Sequence, residues 1–451
     1  MKANNLPNDL FKPELSRRKF LWLLSACAAT PALSGCATNP VTGESQFMIM
    51  SEAQEIAVDQ QQAPHQFSGD YGAVQDVQLN HYLSQVGMSL AAISHRQRVP
   101  YSFRVVNANY INAYAFPGGS IAVTRGILVN LKNESELAGL LGHELGHVNA
   151  RHTAERMSKG TLINLALAGA GMALGRLGEN IGDMTQQLGQ LGGTALLAHY
   201  SRDDERQADS LGMEYMVKAN QNPHGMVGLM ALLRSLSQHN ASALEQMFST
   251  HPMSDERFAT AEHVANTRYA AAKGAPSHQE RFLDSTANLR RLKPTIDALD
   301  QTERLMAKQQ YTEAEQRAEA ALKHAPRDYA ALVIRAKLYL QQEKYKEAQP
   351  YLEKATGVYP TEAQAHHLLG ITHLTLEKPE AALQQFQDYD KLLPGNPNTI
   401  FLQGISLENM QRKPEAAERF TAFLQQVNQG QQAQYAYQRL IEWGYVQRPA
   451  S

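Results

Sequence analysis

The stretch His143-Glu144-Leu145-Gly146-His147 decides how this chain is read. It lies in a run from Glu134 to Met157 whose spacing predicts one continuous helix. Histidines four apart stand on the same helix face, one turn above the other. Two imidazoles so placed can hold one zinc ion, and the glutamate beside the first can polarise a water on that ion. The chain has 16 histidines in 451 residues, so a second His at a fixed offset arises by chance about once in thirty positions. The alternative is a surface helix with two solvated histidines, and the local context argues against it. Asn133 followed by Glu136 predicts a capping box at the helix start, which places both histidines well inside the helix. Leu137, Ala138, Leu140, Leu141, Leu145 and Val148 make the helix apolar enough to be buried. A buried imidazole needs a partner, and a metal is one.

A catalytic zinc site takes three protein ligands and leaves one position for water. A third histidine of the His-x-x-Gly-x-x-His kind needs Gly at 150 and His at 153. The chain has Ala150 and Thr153, with His152 one place out of register. Glu205 is the better candidate. It stands in Tyr200-Ser201-Arg202-Asp203-Asp204-Glu205-Arg206-Gln207-Ala208-Asp209, where Glu205 and Asp209 are again four apart on a predicted helix. One carboxylate can bind the ion while the other accepts a hydrogen bond from a ligand histidine and fixes its tautomer. Read alone, the same stretch is a charged, solvated helix start.

These segments resemble the gluzincin peptidases, the family that includes HtpX, the mitochondrial Oma peptidase and the CAAX prenyl proteases. Asn112-Ala113-Tyr114-Ala115-Phe116-Pro117-Gly118-Gly119 upstream is similar to that family as well. So are Ser249-Thr250-His251-Pro252 and Arg257 downstream. With the C-terminal repeats described below, the likeness narrows to BepA-type periplasmic protease/chaperones and covers nearly the whole chain beyond the export signal. It implies a zinc-dependent endopeptidase with one Zn2+ per chain. His143, His147 and Glu205 would bind the ion, Glu144 would move the proton, and Asp209 would orient a ligand histidine. The resemblance further implies that the loop carrying His251 approaches the metal. There His251 would gate the open position or stabilise an oxyanion; a histidine that merely packs is the third reading. Arg257 is the candidate partner for negative charge near the site, with a gate or oxyanion role also open to it. The implied substrates are unfolded or misassembled outer-membrane proteins. The implied partner, through the repeats, is the β-barrel assembly machinery. The rival reading is a repeat-based chaperone or scaffold whose peptidase site is latent.

The ends of the chain point to a compartment. Residues 1–35 read as a signal peptide that is removed. Arg17, Arg18 and Lys19 form a basic n-region, and Phe20 to Leu33 is apolar but too short to span a bilayer. Leu33-Ser34-Gly35-Cys36 resembles a bacterial lipobox, which implies lipidation of Cys36. An ordinary secretory peptide with an incidental cysteine is the alternative. Ala37 after the cysteine suggests transfer to the outer membrane, so the expected place is the periplasm, lipid-anchored. Ser16-Arg17-Arg18-Lys19-Phe20-Leu21 fits a twin-arginine signal and a general export signal equally. Once Cys27 leaves with the signal and Cys36 carries lipid, neither disulfide nor free thiol remains. A net charge of −2 argues against nucleic acid as a partner.

The expected fold class is mainly α. An α+β zincin-like peptidase domain with a small sheet, residues 36–272, precedes a linker at 273–294. An all-α tetratricopeptide solenoid follows at 295–447. Residues 76–95 read as a helix with Val77, Leu79, Leu83, Val86 and Leu90 on one face. Ser102 to Val106, Ile111 to Phe116 and Ser120 to Thr124 read as strands, the last two joined at Pro117-Gly118-Gly119. A strand beside the zinc helix offers an edge on which an extended peptide can add. Residues 160–198 suggest paired helices near the active site. Pro326, Pro360 and Pro394 recur every 34 residues, as do Ala314, Ala348 and Ala382. That period, with small residues where helices touch and Pro at the exit, is the tetratricopeptide signature. It predicts four units over 295–430 and a closing helix near 431–445.

Overall fold

The computed structural model describes residues 36–167, 199–239 and 244–447. The expected export signal and most of the paired helices expected over 160–198 lie outside the described residues. The described chain opens with a hairpin, β1 (Cys36–Thr38) antiparallel to β2 (Ser45–Phe47). Helix α1 (Glu52–Gly69) begins where Ser51 and Gln54 form a reciprocal capping box. Helix α2 (Val77–Ala91) begins at Asp76, whose side chain accepts the Leu79 N–H. It turns Leu79, Leu83, Val86 and Leu90 into the core, while Val77 in the first turn is exposed. Strands β3 (Ser102–Val106), β4 (Ala113–Ala115) and β5 (Ser120–Thr124) form one sheet in the order β3-β5-β4. β3 runs parallel to β5, and β4 antiparallel to it. β4 is shorter than the strand expected over 111–116, because the Asn112 N–H is accepted by the Thr124 hydroxyl rather than by a ladder carbonyl.

After the short helix α3 (Arg125–Leu128) comes α4 (Glu134–Ala150), all of whose residues are buried. Asn133 caps it by accepting the Glu136 N–H at 3.0 Å. The second half of the expected capping box is redirected, and Glu136 accepts instead from the Lys132 N–H at 2.6 Å. α4 also ends before the sequence pattern does. Arg151 turns left-handed, with φ of 62°, and a separate helix α5 (His152–Leu167) begins. Such a backbone costs about 1–3 kcal/mol and persists only when its surroundings hold it. The holding contacts are tertiary: the buried Arg151 guanidinium donates to Glu55 Oε1 and to the Met50 carbonyl, each at 2.7 Å.

Helices α6 (Arg202–Lys218), α7 (His224–His239), α8 (Glu245–Thr250), α9 (Asp255–Asn266) and α10 (Gln279–Arg291) complete this part. α6 crosses α4 along a seam of small residues. A Cβ added at Gly146 would stand 2.8 Å from Ala208 Cα, and one at Gly212 2.8 Å from the His143 nitrogen. The segment 273–294, read from sequence as a linker, carries α10, whose Phe282 and Leu289 are buried in the same core as α2 and α4. The Lys273-Gly274-Ala275-Pro276 signal marks only the turn before this helix. The apolar face of α10, not the turn, sets where the chain goes next.

Four helix pairs follow. They are α11 (Lys293–Ala307) with α12 (Tyr311–His324), α13 (Tyr329–Leu340) with α14 (Tyr345–Val358), α15 (Ala363–Thr375) with α16 (Pro379–Leu392), and α17 (Pro397–Asn409) with α18 (Lys413–Leu424). Helix α19 (Gln431–Glu442) closes the array. Ala314, Ala348, Ala382 and Ala416 are fully buried at the same point of each unit. Gly370 and Gly404 lie against the rings of Phe386 and Phe420, where a Cβ would stand 2.5 Å from ring carbon. Gln309, Glu343, Glu377 and Gln411 each adopt positive φ at the turn inside a unit. The expected architecture, a mainly α molecule with a small sheet and a C-terminal helical solenoid, is thus the observed one. No helix among the described residues is long and apolar enough to cross a membrane.

Candidate metal centre

His143 and His147 leave the buried face of α4 one turn apart, with their Nε2 atoms 3.1 Å from each other. Glu205 reaches them from α6. Its Oε1 lies 3.4 Å from His147 Nε2, and its Oε2 3.6 Å from His143 Nε2. The α4–α6 seam makes this approach possible, because larger residues there would hold the helices apart. His251, at the end of α8, places Nδ1 3.0 Å from Glu205 Oε1 and 3.3 Å from His143 Nε2. One donor atom from each of these four buried residues lies within 4.8 Å of the others.

Asp209 sits one turn after Glu205 on α6, and its Oδ1 is 2.9 Å from His143 Nδ1. Arg257 on α9 donates to both Asp209 oxygens at 2.7 Å and to the Pro252 carbonyl at 2.8 Å, and it pairs ionically with Glu205 Oε2 at 2.5 Å. The last bond ties the His251-Pro252 loop to the same arginine. Glu144 is fully buried beside His143, and neither carboxylate oxygen has a hydrogen-bond partner among the described residues. Its Oε1 is 3.8 Å from His251 Nε2.

Charge and burial oppose each other throughout. Burial alone would push the Glu205 carboxyl up, but His251 and His143 hold it well below the usual carboxylate range. Asp209 is likewise held low, against burial, by Arg257 and His143. Burial pushes the Glu144 carboxyl up, only partly offset by His251 and His143. It drives the His147 imidazole well down. Burial also works to lower His143, but Glu205 and Asp209 outweigh it and raise this imidazole.

The donor set fits a bound metal ion. Two imidazole nitrogens and a carboxylate converge without water-facing solvation, and a divalent cation accepts the lone pairs they aim at one another. The Glu144 carboxylate next to them, without a hydrogen-bond partner among the described residues, is the second observation. A buried, unsatisfied polar group in a native fold calls for such a functional explanation.

Sequence reasoning nominated His143, Glu144, His147, Glu205, Asp209, His251 and Arg257, and the fold brings all seven together. It missed two neighbours of His147. His152 Nδ1 lies 2.9 Å from His147 Nδ1, and the Tyr200 ring stacks on the His147 ring with centroids 3.7 Å apart. Tyr200 stood in the quoted motif without an assigned task. His152 was weighed only as a metal ligand and set aside.

Residues 77–265 match peptidase family M48, and residues 299–348 and 335–397 match the tetratricopeptide repeat. The chain is 30% identical over 230 residues to the beta-barrel assembly-enhancing protease of Yersinia pestis, covering 50% of this chain and 47% of that one. It is 28% identical over 240 residues to the beta-barrel assembly-enhancing protease of Escherichia coli K12, covering 52% and 49%. With metalloprotease YcaL of the same strain it shares 28% identity over 253 residues, covering 56% of this chain and 94% of that protein. The chain spans about half the length of the beta-barrel assembly-enhancing proteases it matches. What precedes the solenoid here is therefore a peptidase family M48 domain, joined within one chain to tetratricopeptide repeats.

Proposed function

We propose that this chain is a zinc-dependent endopeptidase of the bacterial envelope that degrades misassembled outer-membrane proteins and assists their assembly. The observation that carries the reading is Glu144: a buried carboxylate with no hydrogen-bond partner among the described residues, beside His143, His147, Glu205 and His251, whose donor atoms converge. His143, His147 and Glu205 would hold the ion, whose oxygen and nitrogen donors suit zinc. When bound, zinc polarises the scissile carbonyl and lowers the pKa of its water to about 7. Glu144 takes the proton from the attacking water and delivers it to the leaving amine. Burial raises the Glu144 carboxyl above its ordinary value, which makes the carboxylate a better proton acceptor. Asp209 accepts the His143 Nδ1–H and keeps Nε2 bare for the metal. Strand β4 supplies an edge on which a substrate can lie extended. A small apolar pocket lined by Leu140, Met226, Met230, Met247 and Met253 lies beside His143 and His251.

His251 acts as a gate. Its Nδ1 lies close enough to the other donors that it would be a fourth ligand to a bound ion, leaving no position for water until the loop moves. Movement of the loop that Arg257 anchors would open the site. The Leu33-Ser34-Gly35-Cys36 stretch supports a lipid anchor at the periplasmic face of the outer membrane. The relatives' names support the β-barrel assembly machinery as the partner of the repeats.

Glu144→Gln tests the reading. It should lower casein cleavage by about 10^2–10^4-fold while zinc content stays at one per chain. Full cleavage by the variant would refute the mechanism. The His251 position favours the second reading, a repeat-based scaffold with a latent site. Full complementation of a strain lacking the gene by Glu144→Gln would establish that reading instead.

A further inference from the structure

The two histidines of α4 differ in what stands behind them. His143 has an acidic partner at Nδ1, Asp209, itself clamped by Arg257. His147 has a buried imidazole instead, His152, at 2.9 Å. His152 is in turn held from α6, where its Nε2 is 2.8 Å from Gln207 Oε1 and 3.6 Å from Asp204 Oδ1. His152 is not one of the four residues whose donor atoms converge. It meets His147 on the ring edge that faces away from them.

We infer that His152 is the positioning residue of His147, accepting its Nδ1–H and so keeping Nε2 bare for a metal. The hydrogen placement follows step by step. His147 Nε2 faces His143 Nε2 and Glu205, so a proton there would block the metal position. The His147 proton therefore sits on Nδ1. Its acceptor is His152 Nδ1, which must be bare. His152 is then neutral, with its proton on Nε2, and donates to Gln207 Oε1. Each bond in this relay fixes the next.

The fold makes a specific provision for this contact. On an unbroken helix the residue five places after His147 would stand about 140° around the axis, out of reach. The left-handed turn at Arg151 swings His152 back beneath His147, and Glu55 and the Met50 carbonyl hold that turn. The break that shortens α4 is thus what places the acceptor. The Tyr200 ring stacks on one face of the His147 imidazole, which resists tilting of that ring.

The inference rests on the zinc reading of His143, His147 and Glu205, and the test separates the two. His152→Phe keeps a ring and removes the acceptor; His152→Asn offers an amide oxygen near the lost Nδ1. Zinc affinity of the full chain is measured by chelator competition, and the visible spectrum is recorded on cobalt-substituted protein. His152→Phe should weaken zinc binding about 10–100-fold and alter the cobalt spectrum, while His152→Asn stays within about threefold of wild type. Equal affinity and an unchanged spectrum for His152→Phe would overturn the inference. So would a loss in His152→Asn as large as or larger than that in His152→Phe, the larger loss marking a packing role for the ring. If His152→Phe does not fold, Gln207→Leu takes its place: it frees His152 Nε2–H and should weaken zinc binding several-fold, and no change would overturn the relay. Wild-type protein that binds no zinc would defeat the parent reading instead.

Discussion

Arg257 stands between two buried carboxylates that would otherwise repel each other. It reaches Asp209 through two nitrogens and Glu205 through a third, and its own side chain is almost wholly buried. Burying three charges is tolerable only because each is paired and hydrogen-bonded. Removing the cation leaves two uncompensated carboxylates. Arg257→Met should therefore destabilise the chain by about 3–5 kcal/mol in urea unfolding and weaken zinc binding, since Asp209 would lose the contact that aims it at His143. A loss below about 1 kcal/mol would show that the pairing is solvated and unimportant. The arginine also bonds the Pro252 carbonyl, so the same variant should loosen the His251 loop.

At the scale of elements, the site depends on how closely α4 and α6 approach. Gly142 and Gly146 on one helix meet Gly212 and Ala208 on the other, backbone against backbone. A methyl group at Gly146 would meet Ala208 main-chain atoms, which cannot swing away as a side chain could. Gly146→Ala should cost about 1–3 kcal/mol in thermal or urea unfolding and displace Glu205 from His147, lowering zinc affinity as well. Gly274→Ala, where nothing lies within 4 Å of the added carbon, is the control and should leave both unchanged. An unaltered zinc affinity in Gly146→Ala would mean that α6 is not set by this seam. The glycines were visible in the sequence as part of the histidine motif. Their partner helix was not, because close packing of two helices leaves no local periodic trace.

At the scale of the whole molecule, the solenoid is docked on the peptidase domain through polar groups. Arg125, almost fully buried after β5, donates to both oxygens of Asp328 at 2.6 and 3.1 Å. Glu303 on α11 accepts from the Tyr71 hydroxyl and from Asn109. Lys337, one repeat later at the equivalent position, packs its ammonium 4.4 Å from the Tyr71 ring centroid. Glu362 accepts from Ser68 and Tyr329. The first three units thus contact their own peptidase domain. Asp328→Asn keeps the helix cap that this residue provides to Ala331 but removes the charge opposite Arg125. It should cost about 3–5 kcal/mol and expose the solenoid to earlier tryptic release. One unfolding transition at the wild-type temperature would show that the ion pair does not hold the two parts together.

The sequence by itself determined the features that repeat or are spaced along one element. These are the histidine pair on one helix face, the second acidic pair on another, the three strands, and the 34-residue array with its closing helix. Such features follow from rotation per residue and side-chain alternation, which are local. The tertiary structure alone decided the rest. Arg151 turns left-handed because Glu55, 96 positions away, holds its guanidinium, and no residue near it in the chain signals a break. His152 meets His147 only through that break. The segment 273–294 packs as a helix because Phe282 and Leu289 find a core built from α2 and α4. Arg125 and Asp328 meet across 203 positions. In each case a long-range contact overrides a weak local preference, and only the folded chain brings the two partners into one place.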